Sequence, residues 1–257
     1  MRWKTVEIET RVTPFNRVTA NGVGERIDLD VEGATFATWH PERLFTGYSW
    51  DALAAGCLLG PAPPRSVLVL GLGGGTVTRQ LRALLPQARL TGVEIDAGVI
   101  QLARRHMDLD AQGVSIHVGD AYRFLADSGD RFDAIIDDLF LTGPGDVVRS
   151  RVPAGETLAL LRSRLAPEGV LVANFITDTG AHKLVRKSAR AAFLDGFPSV
   201  RLVRPPRGLN EILVGGEATR PGSALDGHGA LLSASYDRKR FREISVRLLR
   251  RRAGSRI

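Results

Sequence analysis

Three short stretches place backbone amides and carboxylates at intervals suited to holding a nucleoside. Residues 66–70 (Ser66-Val67-Leu68-Val69-Leu70) form an apolar β run that breaks into Gly71-Leu72-Gly73-Gly74-Gly75-Thr76. Glu94 closes the next short β run, residues 90–93, and Asp120 stands in Val118-Gly119-Asp120-Ala121 after a third. In a parallel α/β sheet, such glycines let N–H groups approach a ligand at a helix N-terminus, and an acid about 20 residues on accepts from ribose hydroxyls. Thr76 stands where the dinucleotide fingerprint wants Gly or Ala, which counts against NAD. A carboxylate at position 120 suits an adenine amino group, although a helix N-cap alone also explains an Asp there. The three strand ends together favour an adenosyl cofactor, with Ile95 and Ala121 beside the two acids completing its walls.

The elements that must position these residues alternate. An apolar stripe of Val77, Leu81, Leu84 and Leu85 predicts a helix after the glycine turn, and Asp96 can cap a second running to His106. Strands are expected at 114–118, 132–136 and 170–175, with helices at 122–126, 156–165 and 183–194 and a turn at Pro167-Glu168-Gly169. Residues 200–203 and 211–214, parted by Pro205-Pro206-Arg207-Gly208, read as a closing hairpin. This repetition implies a Rossmann-like, doubly wound, mostly parallel seven-stranded sheet ending in an antiparallel hairpin, as in S-adenosylmethionine transferases. Before it, Ile27, Leu29 and Val31 alternate with charges and Gly33 turns the chain toward residues 35–39, which predicts a small N-terminal β-hairpin; a helix follows at 49–59. The expected division is 1–60 for hairpin and lead-in helix, 61–220 for the transferase domain and 221–257 for a linker and basic tail.

Residues 68–75, Val93-Glu94-Ile95-Asp96, His117-Val118-Gly119-Asp120-Ala121 and Phe132-Asp133-Ala134-Ile135-Ile136-Asp137-Asp138 resemble the spermidine synthases in order and spacing, over about residues 64–215. The resemblance implies that Gly71 and Gly73 flank the methionine-like part of the cofactor, Glu94 holds the ribose and Asp120 contacts adenine. Asp138 would face the reacting amine. Adjacent residues on a strand point to opposite faces, so only one of Asp137 and Asp138 is expected in the cleft, and Asp138 is the choice.

Three departures qualify that likeness. The family's Gly-Gly-Asp-Gly turn has Gly74 in place of its Asp, which removes an anion that would repel the carboxylate of S-adenosylmethionine. The Asp that accepts the amine proton is replaced by Leu141, and leucine takes no proton. The family's Tyr-His/Gln-Glu acceptor contact becomes Tyr48-Ser49-Trp50-Asp51, where Asp51 alone keeps a carboxylate. Leu139, Phe140 and Leu141 offer an apolar wall, and residues 142–146 have the composition of a cover over an acceptor pocket. The resulting expectation is an S-adenosylmethionine-dependent methyl transfer to a small or aromatic acceptor. Two alternatives stand beside it: polyamine aminopropyl transfer from decarboxylated S-adenosylmethionine, and a non-catalytic nucleoside-binding protein.

Composition adds bounds. The 257 residues carry a net charge of +7, and the nine basic residues of 236–257 against two acids hold the whole excess. With Phe241, Ile244, Leu248 and Leu249 near helical spacing, that tail reads as an amphipathic helix on the body, or as a surface for nucleic acid or another acidic partner. The single cysteine, Cys57, excludes an internal disulfide, and the five histidines show no metal-ligand spacing. No apolar run is long enough for a membrane span, so the chain is expected to be cytoplasmic. Its expected partners are the small-molecule acceptor and a second copy of itself.

Overall fold

In a computed structural model, residues 4–143, 146–177 and 180–251 are described. The chain begins with four antiparallel strands, β1 (Thr5–Val12), β2 (Arg17–Val23), β3 (Arg26–Val31) and β4 (Ala34–Trp39), paired in that order. The expected hairpin is β3–β4. It is extended by two strands that sequence did not reveal, since Val6 and Ile8 alternate with acids yet stay exposed.

Helix α1 (Ser49–Cys57) leads into β5 (Ser66–Leu70), α2 (Thr76–Leu84), β6 (Arg89–Glu94), α3 (Ala97–His106), β7 (Val114–Val118), α4 (Ala121–Asp127) and β8 (Phe132–Asp137). A short hairpin follows, β9 (Phe140–Gly143) with β10 (Asp146–Arg149), and then α5 (Gly155–Ser163), β11 (Leu165–Ile176) and α6 (Ala181–Gly196). Strands β12 (Ser199–Arg204) and β13 (Asn210–Gly216), helices α7 (Asp226–Gly229) and α8 (Ser235–Arg242) and strand β14 (Ser245–Leu248) close the described chain. The main sheet runs β14-β12-β13-β11-β8-β5-β6-β7. Its five strands from β11 to β7 are parallel, and β13, β12 and β14 add on antiparallel to their neighbours.

Burial explains the central order. Val67 to Leu70 of β5 are wholly buried, as a parallel strand covered on both faces requires. One face packs on α1 and α2 through Leu53, Leu58, Val77, Leu81 and Leu84; the other packs on α4, α5 and α6 through Leu125, Leu161, Ala189 and Phe193. The N-terminal sheet forms a third core with α3, where Leu29, Val18, Ala37 and Met107 enclose Leu72 of the glycine turn. The turn is therefore clamped between two sheets.

Two expectations change. The Pro167-Glu168-Gly169 turn lies inside β11 as an irregularity, with Glu168 at φ 63° and the register to β8 shifting between Leu165 and Val170. The tail helix ends at Arg242, and β14 makes the sheet eight-stranded. The apolar residues divide accordingly: Phe241 meets the Phe45 ring edge-on at 5.3 Å, while Val246 pairs with Val203. Among the described residues no helix is long and apolar enough to cross a membrane, and no group of three metal-ligating side chains occurs.

Asp237 ties α8 to the segment before α1. Its buried carboxylate accepts from the N–H groups of Leu44 and Phe45, both at 3.0 Å. Asp237→Ala leaves two donors without an acceptor and is expected to lower stability by about 2 kcal/mol, read as a shift in the urea unfolding midpoint.

Candidate active site

The glycine turn, the ends of β6, β7 and β8, the N-terminal sheet and the β9–β10 hairpin enclose a cleft of about 930 Å³. It lies at the carboxyl ends of the parallel strands, where open α/β sheets bind ligands. Gly71 has φ 82°, and a Cβ there would stand 2.5 Å from the Asp138 carbonyl oxygen, so only glycine admits this approach. Gly71 and Leu72 both donate to the Val93 carbonyl at 3.0 Å. With the Asp138 N–H donating to the Leu70 carbonyl at 3.0 Å, these bonds bring the ends of β5, β6 and β8 together.

Glu94 is half-buried at the end of β6. Its Oε2 accepts from the Gly73 N–H at 2.9 Å and its Oε1 from the Asp96 N–H at 3.1 Å. Burial raises its pKa, against the lowering effect of those donors. Each oxygen retains acceptor capacity for a diol in the cleft. Asp120 does cap α4, accepting from the Arg123 N–H at 2.8 Å through Oδ1. It also lines the cleft with Ile95 and Ala121, so capping and ligand contact are compatible at this residue.

The aspartate pair separates as strand geometry demands. Asp137 is buried on the opposite side, its Oδ2 2.5 Å from Arg149 Nη2. Asp138 lines the cleft, accepts from Asn174 Nδ2 at 2.8 Å and is pushed up to about 6, chiefly by burial, with Asn174 and Arg149 opposing. Asn174 accepts in turn from Asn210 Nδ2 at 3.0 Å. Sequence reasoning missed both asparagines. The available signal was Asn174 itself, one polar residue in the apolar run of β11, where a buried amide needs partners.

Two candidate residues turn away from the cleft. A Cβ on Gly74 would lie 2.6 Å from both Ala37 Cβ and Met107 Sδ, so a side chain at this position meets the N-terminal sheet and the end of α3. Its lack of an anion thus says nothing about a cofactor carboxylate. Asp51 is wholly buried and accepts from the Thr46 and Gly47 N–H groups at 2.9 and 2.6 Å and from Gln80 Nε2 at 2.8 Å. Burial pushes it up to about 6. It shapes the 46–48 loop, while Tyr48, Ser49 and Trp50 line the cleft. Leu139, Phe140 and Leu141 form the expected apolar wall, with Leu141 48% exposed at the rim. Of the expected cover, Pro144 and Gly145 lie outside the described residues; Thr142 Oγ1 bonds Asn16 Oδ1 at 2.9 Å.

A mostly parallel sheet, a clamped glycine turn and a cleft at the strand ends define a Rossmann-like fold of the transferase type. Residues 53–192 match the spermine/spermidine synthase domain, and the chain belongs to that family. It is 35% identical over 175 residues to a probable polyamine aminopropyl transferase of Bifidobacterium longum, covering 67% of this chain and 38% of that protein. It is 32% identical over 156 residues to a polyamine aminopropyltransferase of Vibrio vulnificus, covering 59% of this chain and 50% of that one. The chain thus spans half or less of the length of these curated relatives. A probable spermidine synthase from Corynebacterium glutamicum superposes with a TM-score of 0.69 at 21% identity, over 87% of this chain and 86% of that structure.

These relatives overturn the expectation of methyl transfer, since they are named for aminopropyl transfer. Of the three departures that motivated it, Gly74 is explained by packing, Asp51 is bound into its own loop, and Leu141 remains.

Gly74→Asp is expected to weaken S-adenosylmethionine and its decarboxylated form equally, because the new side chain displaces the turn through Ala37 and Met107. Overpacking of this kind costs about 1–3 kcal/mol of stability. Paired calorimetric titrations and a thermal melt check both effects.

Proposed function

We propose that the chain transfers an aminopropyl group from decarboxylated S-adenosylmethionine to an amine, with Asp138 receiving the amine proton. Membership of the family and the names of its relatives support the reaction class. The observation that carries the site assignment is Asp138, a cleft-lining carboxylate fixed by Asn174 and raised to about 6.

The residues fit the donor. Gly71 and Gly73 line the cleft with bare backbone, each where a Cβ would crowd a neighbouring carbonyl oxygen, that of Asp138 at 2.5 Å and that of Phe36 at 3.2 Å. Glu94 has acceptor capacity for the ribose, and Asp120 for the adenine amino group. The donor supplies a carbon made electrophilic by its sulfonium. The acceptor nitrogen forms a bond to that carbon, the carbon–sulfur bond breaks with its electron pair left on sulfur, and methylthioadenosine departs.

An ammonium has no free electron pair, so a proton must leave before attack. With Leu141 unable to accept it, Asp138 is, among the described residues, the carboxylate available at the reacting end of the cleft. A carboxylate at about 6 is a better match to an amine than one near 4, which eases the transfer. The Asn174 amide keeps the accepting oxygen aimed, and Asn210 fixes the amide's orientation. The wall of Leu139, Phe140 and Leu141 limits water around the developing bond.

Because the base works ionised, kcat/KM is expected to fall as pH drops through about 6, while donor affinity changes little. Asp138→Asn keeps the size and removes the base; its kcat is expected to fall about 10²–10⁴-fold, with decarboxylated S-adenosylmethionine still bound. Methylthioadenosine release, followed by chromatography across pH 5–9, checks both. Release of S-adenosylhomocysteine from S-adenosylmethionine instead would refute the reaction, and tight binding without any product would identify a nucleoside-binding protein.

A further inference from the structure

Asp138, the proton acceptor of the aminopropyl-transfer reading on which this inference rests, is the chain neighbour of a second buried carboxylate. Asp137 ends β8 just before it, and adjacent buried acids oppose each other's ionisation unless a counter-charge is supplied. The counter-charge comes from the roof of the cleft. Arg149 ends β10, and its almost wholly enclosed side chain runs from the hairpin into the sheet, where Nη2 stands 2.5 Å from Asp137 Oδ2. Two further contacts bring the guanidinium to the backbone around Asp138. Its Nη1 donates to the carbonyl of Asn174, the residue whose amide holds the Asp138 carboxylate, and reaches the carbonyl of Asp137 at 3.5 Å, on the peptide leading into Asp138. The guanidinium carbon lies 4.8 Å from the ring centroid of Phe175 on β11 and 5.4 Å from that of Phe140 on β9. The charge is fixed at the joint between hairpin and sheet.

The electrostatics at Asp138 follow this geometry. Burial raises its carboxyl to about 6; the Asn174 amide and then Arg149 act against burial, and Asp137 acts with it. Among the described residues, the charged groups that face Asp138 are Asp137 on its own strand and Arg149 on β10, while β11 presents the neutral Asn174 and β5 presents backbone at the Gly71 turn. With Arg149 in place the anion at 137 is matched, and proton exchange is left to Asp138.

We infer that Arg149 is a positioning residue for the transfer: from the β9–β10 hairpin it neutralises Asp137 and holds the Asn174 backbone, and so leaves Asp138 the acid of the pair that takes the proton of the acceptor amine. Arg149 acts through these two neighbours.

The test is the pH at which kcat/KM for methylthioadenosine release, from decarboxylated S-adenosylmethionine and 1,4-diaminobutane, falls to half its plateau. Because Asp138 works ionised, whatever favours its protonated form moves this midpoint up. Arg149→Met leaves the Asp137 anion unmatched and is expected to raise the midpoint by about one pH unit; Asp137→Asn leaves the guanidinium unmatched and is expected to lower it by about one pH unit. The joint variant carries neither charge and is expected to return to the parent's midpoint, as is Arg149→Lys, which keeps the cation. All other groups are common to the compared chains, so the differences read these two charges alone. A purely structural role for Arg149 lowers the rate and leaves the midpoint where it was. Calorimetry with methylthioadenosine shows which variants keep the cleft, and the isosteric Asp137→Asn decides the matter where Arg149→Met does not fold. Folded variants whose midpoints equal the parent's, or move in the same direction, overturn the inference. NMR of isotope-labelled aspartate carboxyl carbons, with the Asp138 signal identified by its loss in Asp138→Asn, reads the same titration without turnover. Opposed carboxyl shifts in a chain that releases no methylthioadenosine sink the transfer reaction and keep the positioning role.

Discussion

The close approach of Gly71 to the backbone of Asp138 is the constraint on which the site depends. Gly71 and Leu72 donate to Val93, Asp138 donates to the Leu70 carbonyl at 3.0 Å, and any Cβ at position 71 would fall on the Asp138 carbonyl. The ends of three strands are thereby drawn to one point. Glu94, the amides of the glycine turn and the Asp138 carboxylate converge because the backbone is pinched there, before any side chain is chosen.

Around that point, carboxylates are sorted by what neutralises or bonds them. Asp137 is held by Arg149, Asp51 by amides of the 46–47 loop and Gln80, and Asp237 by the amides of Leu44 and Phe45. All three are buried and serve the scaffold. Glu94 and Asp138 are bonded on part of their acceptor capacity, and burial raises both. Burying an acid is costly unless its bonds are complete, so the incompletely bonded acids beside a cavity are the ones available for chemistry.

What could be read from the sequence follows from the range of the forces involved. Glu94, Asp120 and the glycine turn sit at strand ends whose apolar runs announce themselves locally; the five parallel strands followed from their alternation with helices, and the closing pair from its turn residues. Gly74 was misread because its reason for being glycine is Ala37 and Met107, contacts 37 and 33 positions away that no motif encodes. Asp51 looked like a ligand residue for the same reason: its partners are the backbone of its own loop and Gln80. The tail was legible in its apolar residues but not in its form, because β12 offered an open edge that Ser245–Leu248 fills, and strand pairing is a tertiary decision.

The bond between Thr142 and Asn16 spans 126 positions of the chain. Asn16 and Thr13 also reach Asp96, two residues beyond Glu94. The β9–β10 hairpin over the reacting end and the β1–β2 turn beside the nucleoside end are thus stitched into one roof from distant parts of the sequence. Contacts of such separation bear a large loop-closure cost and form after local ones. The floor of the cleft is a product of early, local βα pairing, whereas its ceiling exists only once the first and middle thirds of the chain have met. A nascent or partly unfolded molecule therefore has an open trough in place of an enclosed site, and nucleoside bound beneath the roof stabilises the joining of those two segments.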